Sequence, residues 1–185
     1  MTDKRALRAH FLYLRERTKS AEKDEAITEN LIRSPYFAAE RFFVYCSVRS
    51  EVATDKLIAA LLAAGKQVCV PRIEGGVMLA VPYAKLERGA FGIPAPRGGE
   101  DTVCDVALTP LLAADCTGVR LGYGGGYYDA YFAKRPQTLR VGLAYEAQLT
   151  QSLPREAWDM PLQAVVTEKG THCFPLLDST PADTL

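Results

Sequence analysis

Apolar positions recur along the chain with two different periods, and the switches between them mark its elements. Leu7, Phe11 and Leu14 fall at the spacing of one helical face, which predicts an amphipathic helix over Asp3–Arg17. Ser20 is placed to cap a second helix, Ala21–Arg33, which stops before Ser34-Pro35 because a residue ahead of proline is steered out of the helical region. Arg41–Ser47 (Arg-Phe-Phe-Val-Tyr-Cys-Ser) is apolar almost throughout and β-prone, as expected of a central strand. A loop at Val48–Val52, a helix at Thr54–Ala64 closed by Gly65, and a strand at Gln67–Pro71 follow. That β-loop-α-β order predicts a right-handed crossover in a parallel sheet. Val77–Pro82, after the Gly75-Gly76 turn, reads as a short strand paired with its neighbour, and Gly89–Pro96 as a loop. Asp105–Pro110 reads as a buried strand and Tyr127–Lys134 as a helix stopped by Arg135-Pro136. Arg140–Ala144 is a further strand and Ala164–Thr167 the last. The expected fold is α/β, a single-domain open, largely parallel sheet flanked by helices over residues 1–175, with 176–185 a loose polar tail.

Composition narrows the function. The 185 residues suffice for one sizeable core, and 22 basic residues balance 22 acidic ones, so nothing suggests a general nucleic-acid or membrane surface. No run approaches the length of a membrane span, and the polar, charged start does not read as a signal peptide, so a cytoplasmic protein is expected. A monomer is the expectation, although the sequence carries no signal for oligomeric state. Cys46, Cys69, Cys104, Cys116 and Cys173 are odd in number and form no Cys-x-x-Cys pair; reduced core thiols are expected. With only His10 and His172 present, a histidine-based triad or metal centre is not expected.

The densest chemistry lies in Arg120–Asp129, Arg-Leu-Gly-Tyr-Gly-Gly-Gly-Tyr-Tyr-Asp. Gly122, Gly124, Gly125 and Gly126 fall within five positions, a density suited to backbone that must approach something closely. A strand, a glycine loop and a helix start in series offer amides without intrahelical partners to an anion. Arg120 adds a planar fork suited to phosphate, and Asp129 sits where it could hold a metal bound to that phosphate. A Walker loop would need Lys and then Ser or Thr where Tyr127-Tyr128 stand, and a dinucleotide fingerprint would need a third glycine at Tyr127. The plainer reading is a flexible turn, with Asp129 complementing the helix dipole.

Arg120–Asp129 as a whole closely resembles the signature of the 5-formyltetrahydrofolate cyclo-ligase (5,10-methenyltetrahydrofolate synthetase) family. The resemblance extends to Ser50-Glu51-Val-Ala-Thr54, to Gly89–Pro96 and to Glu156-Ala-Trp158-Asp159-Met-Pro161, and runs to about Gly170. It implies ATP and magnesium as co-substrate and cofactor and a reduced folate as substrate. Lys4 and Arg8, four apart on the first helix, match the pair that meets the nucleotide phosphates; Arg5 is the neighbour if the register slips, and a solvated basic edge is the bland alternative. With them the resemblance groups Arg120, Gly122, Gly124, Gly125, Gly126, Tyr127 and Tyr128 around the nucleotide, Arg120 and Tyr128 acting in catalysis. Glu51 and Tyr127 fall to the folate, and Asp129 and Asp159 to magnesium. Read without it, Glu51 is equally an acid flanking a helix and Asp159 a turn former. Ala95 stands where the family commonly has an acid, and Trp158 where it often has His; Phe91 reads as a core residue or a wall of the pocket.

The implied reaction is ATP-dependent cyclisation of 5-formyltetrahydrofolate to 5,10-methenyltetrahydrofolate, releasing ADP and phosphate. It needs positioning and charge neutralisation rather than an enzyme nucleophile, consistent with a chain that offers no Ser-His or Cys-His constellation. Two rivals keep the glycine loop: a nucleotide-binding module without cyclo-ligase activity, which Ala95 and Trp158 favour, and a kinase for a different small molecule.

Overall fold

The structure is a computed structural model describing residues 3–175, so the expected tail lies outside the described residues. Helix α1 spans Lys4–Thr18, its first turn capped by the Asp3 carboxylate accepting from the Arg5 amide at 2.9 Å, and α2 spans Ala21–Arg33 behind Ser20. Strand β1 (Arg41–Val44), α3 (Asp55–Ala63) and β2 (Gln67–Glu74) form the expected crossover unit, with β1 and β2 parallel. β2 returns antiparallel as β3 (Val77–Pro82) through Gly75-Gly76, whose positive φ angles (56° and 78°) suit a two-residue hairpin turn. Gly89–Pro96 is not wholly loop: β4 (Leu86–Arg88) pairs with β5 (Pro94–Pro96) in a small hairpin. Pro94 and Pro96 at alternate positions mask that strand in the sequence.

After β6 (Val106–Thr109) the chain does not pass directly into the glycine loop. It first forms β7 (Ala113–Asp115) and β8 (Arg120–Leu121), an antiparallel pair joined by β10 (Leu149–Thr150) in a three-stranded sheet. Asp115 fixes their turn by accepting from the Thr117 and Val119 amides. The glycine loop then opens α4 (Tyr127–Ala133), followed by β9 (Leu139–Leu143), β11 (Ala164–Thr167) and β12 (Gly170–Cys173). Ala164–Thr167 is therefore not the last strand. Its partner Gly170–Cys173 is an edge strand with polar, alternately exposed residues, which weakens its hydrophobic signal.

The main sheet has the order β12-β11-β9-β6-β1-β2-β3. Its five inner strands are parallel and its two edges antiparallel. Phe42, Val44, Val106, Leu108, Val141 and Val166 bury one face against α2 and α3; Phe43, Cys69 and Ala107 bury the other against α4. All five cysteines are free, but Cys116 and Cys173 are exposed, so the core-thiol expectation holds only for Cys46, Cys69 and Cys104. No described helix is long and apolar enough to cross a membrane. The loops that matter next leave the carboxyl ends of β1, β6 and β9, where open α/β sheets place their ligands.

Candidate functional site

Helix α1 carries Lys4, Arg8, Phe11 and Arg15 at successive steps of four, three and four, one stripe of a helix. Phe11 is buried against Leu112, Ala113 and Leu121 of the small sheet, so the stripe that packs the helix also points its three cations at the carboxyl edge. Lys4 Nζ lies 2.9 Å from Glu156 Oε1 and 3.5 Å from Asp159 Oδ2. Burial alone would lower the Lys4 pKa, but these two carboxylates outweigh it and hold the ammonium above the ordinary lysine value. Arg8 Nε donates to the Gly122 carbonyl at 3.0 Å, tying the helix to the glycine loop.

Two glycines in that loop lie close against arginine side chains. Gly124 has φ 97°, and a Cβ there would lie 3.3 Å from the Arg8 guanidinium carbon; a Cβ on Gly122 would lie 2.8 Å from Arg120 Nη1. Gly126, left-handed at φ 68°, starts α4 with no side-chain cap. Arg120 is not a free fork. Its side chain is 7% exposed, with Nη2 3.1 Å from Asp129 Oδ2, Nη1 donating to the Pro110 carbonyl, and the guanidinium carbon 5.3 Å from the centre of the Tyr128 ring. Its Nε is buried and has no hydrogen-bond partner among the described residues.

Glu51 is buried in the loop after β1. Oε2 accepts from the Val48 amide at 2.9 Å and Oε1 from the Tyr123 hydroxyl at 3.1 Å, while its carbonyl takes Lys19 Nζ at 2.6 Å. Burial raises the Glu51 carboxyl, and the Val48 amide, Arg15, Tyr123 and Lys19 pull it back only in part. The Tyr123 hydroxyl in turn accepts from Arg15 Nη2 at 2.5 Å. Arg15 is 1% exposed, and its remaining donors reach Ser50 Oγ and the Leu111 carbonyl. One hydroxyl from the glycine loop thus links helix α1 to the carboxylate behind β1. Burial, then the Glu51 charge, raises the Tyr128 hydroxyl far above the ordinary tyrosine range, so it is a donor rather than a base near neutrality.

Asp129 and Asp159 come together through the Met160 amide, which donates to Asp129 Oδ1 at 3.1 Å. Asp159 Oδ2 also accepts from the Glu156 amide at 2.7 Å, so each carboxylate already faces a cation and an amide. No group of three or more metal-ligating side chains exists among the described residues. Two carboxylates with spare oxygen lone pairs suit magnesium that arrives with phosphates and water, and do not suit a metal held by protein alone. Phe91 is 74% exposed at the tip of the β4–β5 hairpin, not in the core, and its ring centre lies 5.9 Å from that of Tyr127. Tyr123 and Trp158 are likewise exposed aromatics on the segments that converge here.

Every sequence-derived candidate therefore lies on a segment at this edge, joined through Arg8 to Gly122, Lys4 to Asp159, Arg120 to Asp129 and Tyr123 to Glu51. Arg15, Tyr123, Lys19 and Glu156 were missed. Arg15 had a signal, since it lies seven residues beyond Arg8 on the same stripe. Tyr123 stood inside the motif without a role.

The fold and this edge define a small α/β ligand-binding protein whose open sheet carries a cationic glycine loop beside a buried carboxylate. The sequence profile of the 5-formyltetrahydrofolate cyclo-ligase family matches residues 1–168. The chain is 36% identical over 156 residues to a 5-formyltetrahydrofolate cyclo-ligase of Escherichia coli K12, covering 77% of this chain and 86% of that protein. It is 30% identical over 177 residues to one from Haemophilus influenzae, covering 87% and 91%. The solved structure of Aquifex aeolicus 5,10-methenyltetrahydrofolate synthetase superposes with a TM-score of 0.82 at 34% identity, covering 98% of this chain and 96% of that one. The chain belongs to the 5-formyltetrahydrofolate cyclo-ligase family and is a ligase.

Proposed function

We propose that this edge binds ATP with magnesium beside 5-formyltetrahydrofolate and closes the folate ring by phosphorylating the formyl oxygen. The observation that carries the reading is the Arg15–Tyr123–Glu51 link, because it sets a cationic glycine loop directly against a buried acceptor for a folate headgroup. Lys4, Arg8 and Arg120 would face the phosphates together with the Gly122–Gly126 backbone, and the orphaned Arg120 Nε is a donor that a bound anion could satisfy. Asp129 and Asp159 would hold the magnesium, which when bound neutralises phosphate charge. Glu51 retains acceptor capacity for the pterin's amino group and ring N–H, with Tyr127 and Tyr128 of the neighbouring helix start flanking the bound folate.

An amide oxygen is a poor leaving group, and that is the barrier to ring closure. Transfer of the γ-phosphoryl group from ATP to the formyl oxygen releases ADP and turns that oxygen into part of a phosphate ester. The folate's N10 attacks the formyl carbon, the C–O bond breaks, and phosphate departs while N10 loses its proton. The protein's own work is to hold donor and acceptor in line, with the Tyr128 hydroxyl available as a donor to a developing negative oxygen. Mixing protein, ATP, magnesium and 5-formyltetrahydrofolate should produce the methenyl absorbance band, and omitting either ATP or magnesium should abolish it. Tight nucleotide binding without that band would favour the bare nucleotide module; phosphorylation of another acceptor would favour the kinase.

The α1 cations give a second test. Lys4→Ala with Arg8→Ala should raise the KM for ATP about tenfold or more, since two charge-assisted contacts are lost. The melting temperature should fall only slightly, because the Lys4 pair with Glu156 is part-exposed and screened. A large fall in melting temperature with unchanged ATP kinetics would return the pair to a structural role.

A further inference from the structure

A cleft of about 240 Å³, outside the site described above, lies between the end of β2 and the β4–β5 hairpin; Arg72, Arg88, Arg97, Glu87 and Ala95 are among its walls. Two of its cations have partners: Arg72 Nη2 lies 3.1 Å from Glu74 Oε2, and Arg97 Nε lies 2.9 Å from Glu87 Oε2. Arg88 has no ion-pair partner among the described residues, which leaves the cleft one cation in surplus. The buried Ala95 methyl forms part of the wall at the position where the family resemblance leads one to expect an acid. A carboxylate there would cancel the surplus; alanine preserves it.

Position connects the cleft to the site. β2 pairs with β1 as far as Cys69 and continues to Glu74, so Arg72 projects past the carboxyl edge of β1, the edge that carries Glu51. The hairpin that walls the cleft also bears Phe91, whose ring packs on Tyr127, and Tyr128 follows within electrostatic reach of Glu51. Glu51, the two tyrosines, Phe91 and the cleft thus follow one another along a single edge. A reduced folate has a matching order: a donor-rich pterin, an aromatic ring, then a glutamyl group with two carboxylates ionised at neutral pH.

We propose that the Arg72–Arg88–Arg97 cleft is the subsite for the glutamyl carboxylates of the folate, with the aminobenzoyl ring crossing Phe91 and Tyr127. This rests on the reading that 5-formyltetrahydrofolate is the substrate. The surplus cation recruits an anion, and the half-buried Arg72 offers a guanidinium already held in place by Glu74, so less side-chain freedom is lost when a carboxylate docks.

The test compares 5-formyltetrahydrofolate with a 5-formyltetrahydropterin that lacks the aminobenzoylglutamate. Arg72→Ala and Arg88→Ala should each raise the KM for the full folate about three- to tenfold, with kcat moving far less, as loss of uniform binding requires. Affinity for the tail-less pterin, measured by competition, and the KM for ATP should stay at wild-type values. Ala95→Glu should raise the folate KM well above Ala95→Gln, which adds similar bulk without the charge. Equal effects on the tail-less and full compounds, or an unchanged folate KM in both arginine variants, would overturn the subsite.

Titration of p-aminobenzoylglutamate alone provides an arm independent of turnover. Wild type should bind it in a salt-sensitive manner and Arg88→Ala should bind it more weakly. Should wild type fail to cyclise the folate yet bind this fragment as expected, the catalytic reading falls and the subsite stands. Displacement of the fragment by an equal concentration of inorganic phosphate would instead mark a general anion site and overturn the assignment.

Discussion

Arg120→Ala is expected to lower both the stability of the protein and its turnover, and by separable routes. The Arg120 side chain is 7% exposed and braces Asp129 at 3.1 Å, the Pro110 carbonyl and the Tyr128 ring. Its removal leaves the Asp129 carboxylate, 21% exposed, with only the Met160 amide in hand among the described residues. Breaking a fully buried ion pair costs about 3–5 kcal/mol, and partial solvation of Asp129 reduces this to about 2–3. In a chain of this length that corresponds to a melting temperature lower by roughly 5–10 °C. Loss of a preorganised donor to the transferring phosphoryl group should cost about a hundredfold or more in kcat/KM. Arg120→Lys separates the two effects. One ammonium can still pair with Asp129 and recover part of the stability, but it cannot brace Asp129 while offering a second planar donor to phosphate, so turnover stays low. A stable Arg120→Ala protein would refute the brace, and one that turns over like wild type would refute the phosphate role.

The elements whose burial is set within a few residues were legible. Phe42, Phe43 and Val44 are apolar because a central parallel strand is buried on both faces, and Ala21–Arg33 was bounded at both ends by its cap and by Ser34-Pro35. The small sheet was not legible. Ala113–Asp115 has no β-branched residue and Arg120–Leu121 is too short to show a period, so only their tertiary pairing makes them strands. The same division holds at the site. The glycine loop announced itself because its chemistry is contiguous, and Lys4 with Arg8 because helical spacing places them on one face. Arg15 shares that face, but its burial was not legible, since an arginine on a surface helix usually snorkels to water; here Ser50, Leu111 and Tyr123, brought from three distant segments, satisfy it in the interior. The dual engagement of Asp129 and Asp159 was equally hidden, because it depends on the loop before β11 folding back over α4.

Glu51→Gln is expected to separate folate binding from everything else the site does. In wild type both carboxylate oxygens already accept one bond each, from the Val48 amide and the Tyr123 hydroxyl, and keep lone pairs for a ligand's donors. The carboxamide can hold this frame: its oxygen stays on the Val48 amide and its nitrogen donates to the Tyr123 oxygen, whose own proton turns toward solvent. The fold therefore does not depend on the charge. Burial raises the folded carboxyl pKa above the ordinary value of about 4.3, so the native state binds more protons than the unfolded chain between the two pKa values. The contribution of this group to stability is accordingly largest in acid and falls as pH rises through that window. At neutral pH the amide removes a buried charge, and melting should be no lower than wild type. Folate binding behaves oppositely. A donor now faces the pterin's donors, at about 1–3 kcal/mol for each unpaired group, so folate affinity should fall tenfold or more while ATP affinity holds. The wild-type kcat/KM should also show an acid limb above the ordinary carboxylate range, because the binding-competent ionised form is lost early, and that limb should vanish in the amide. Calorimetric titration of each ligand, with a pH profile of kcat/KM for both proteins, checks all three expectations. Equal folate affinity in the two proteins, with the acid limb intact in Glu51→Gln, would leave Glu51 as no more than the acceptor that pins the loop after β1.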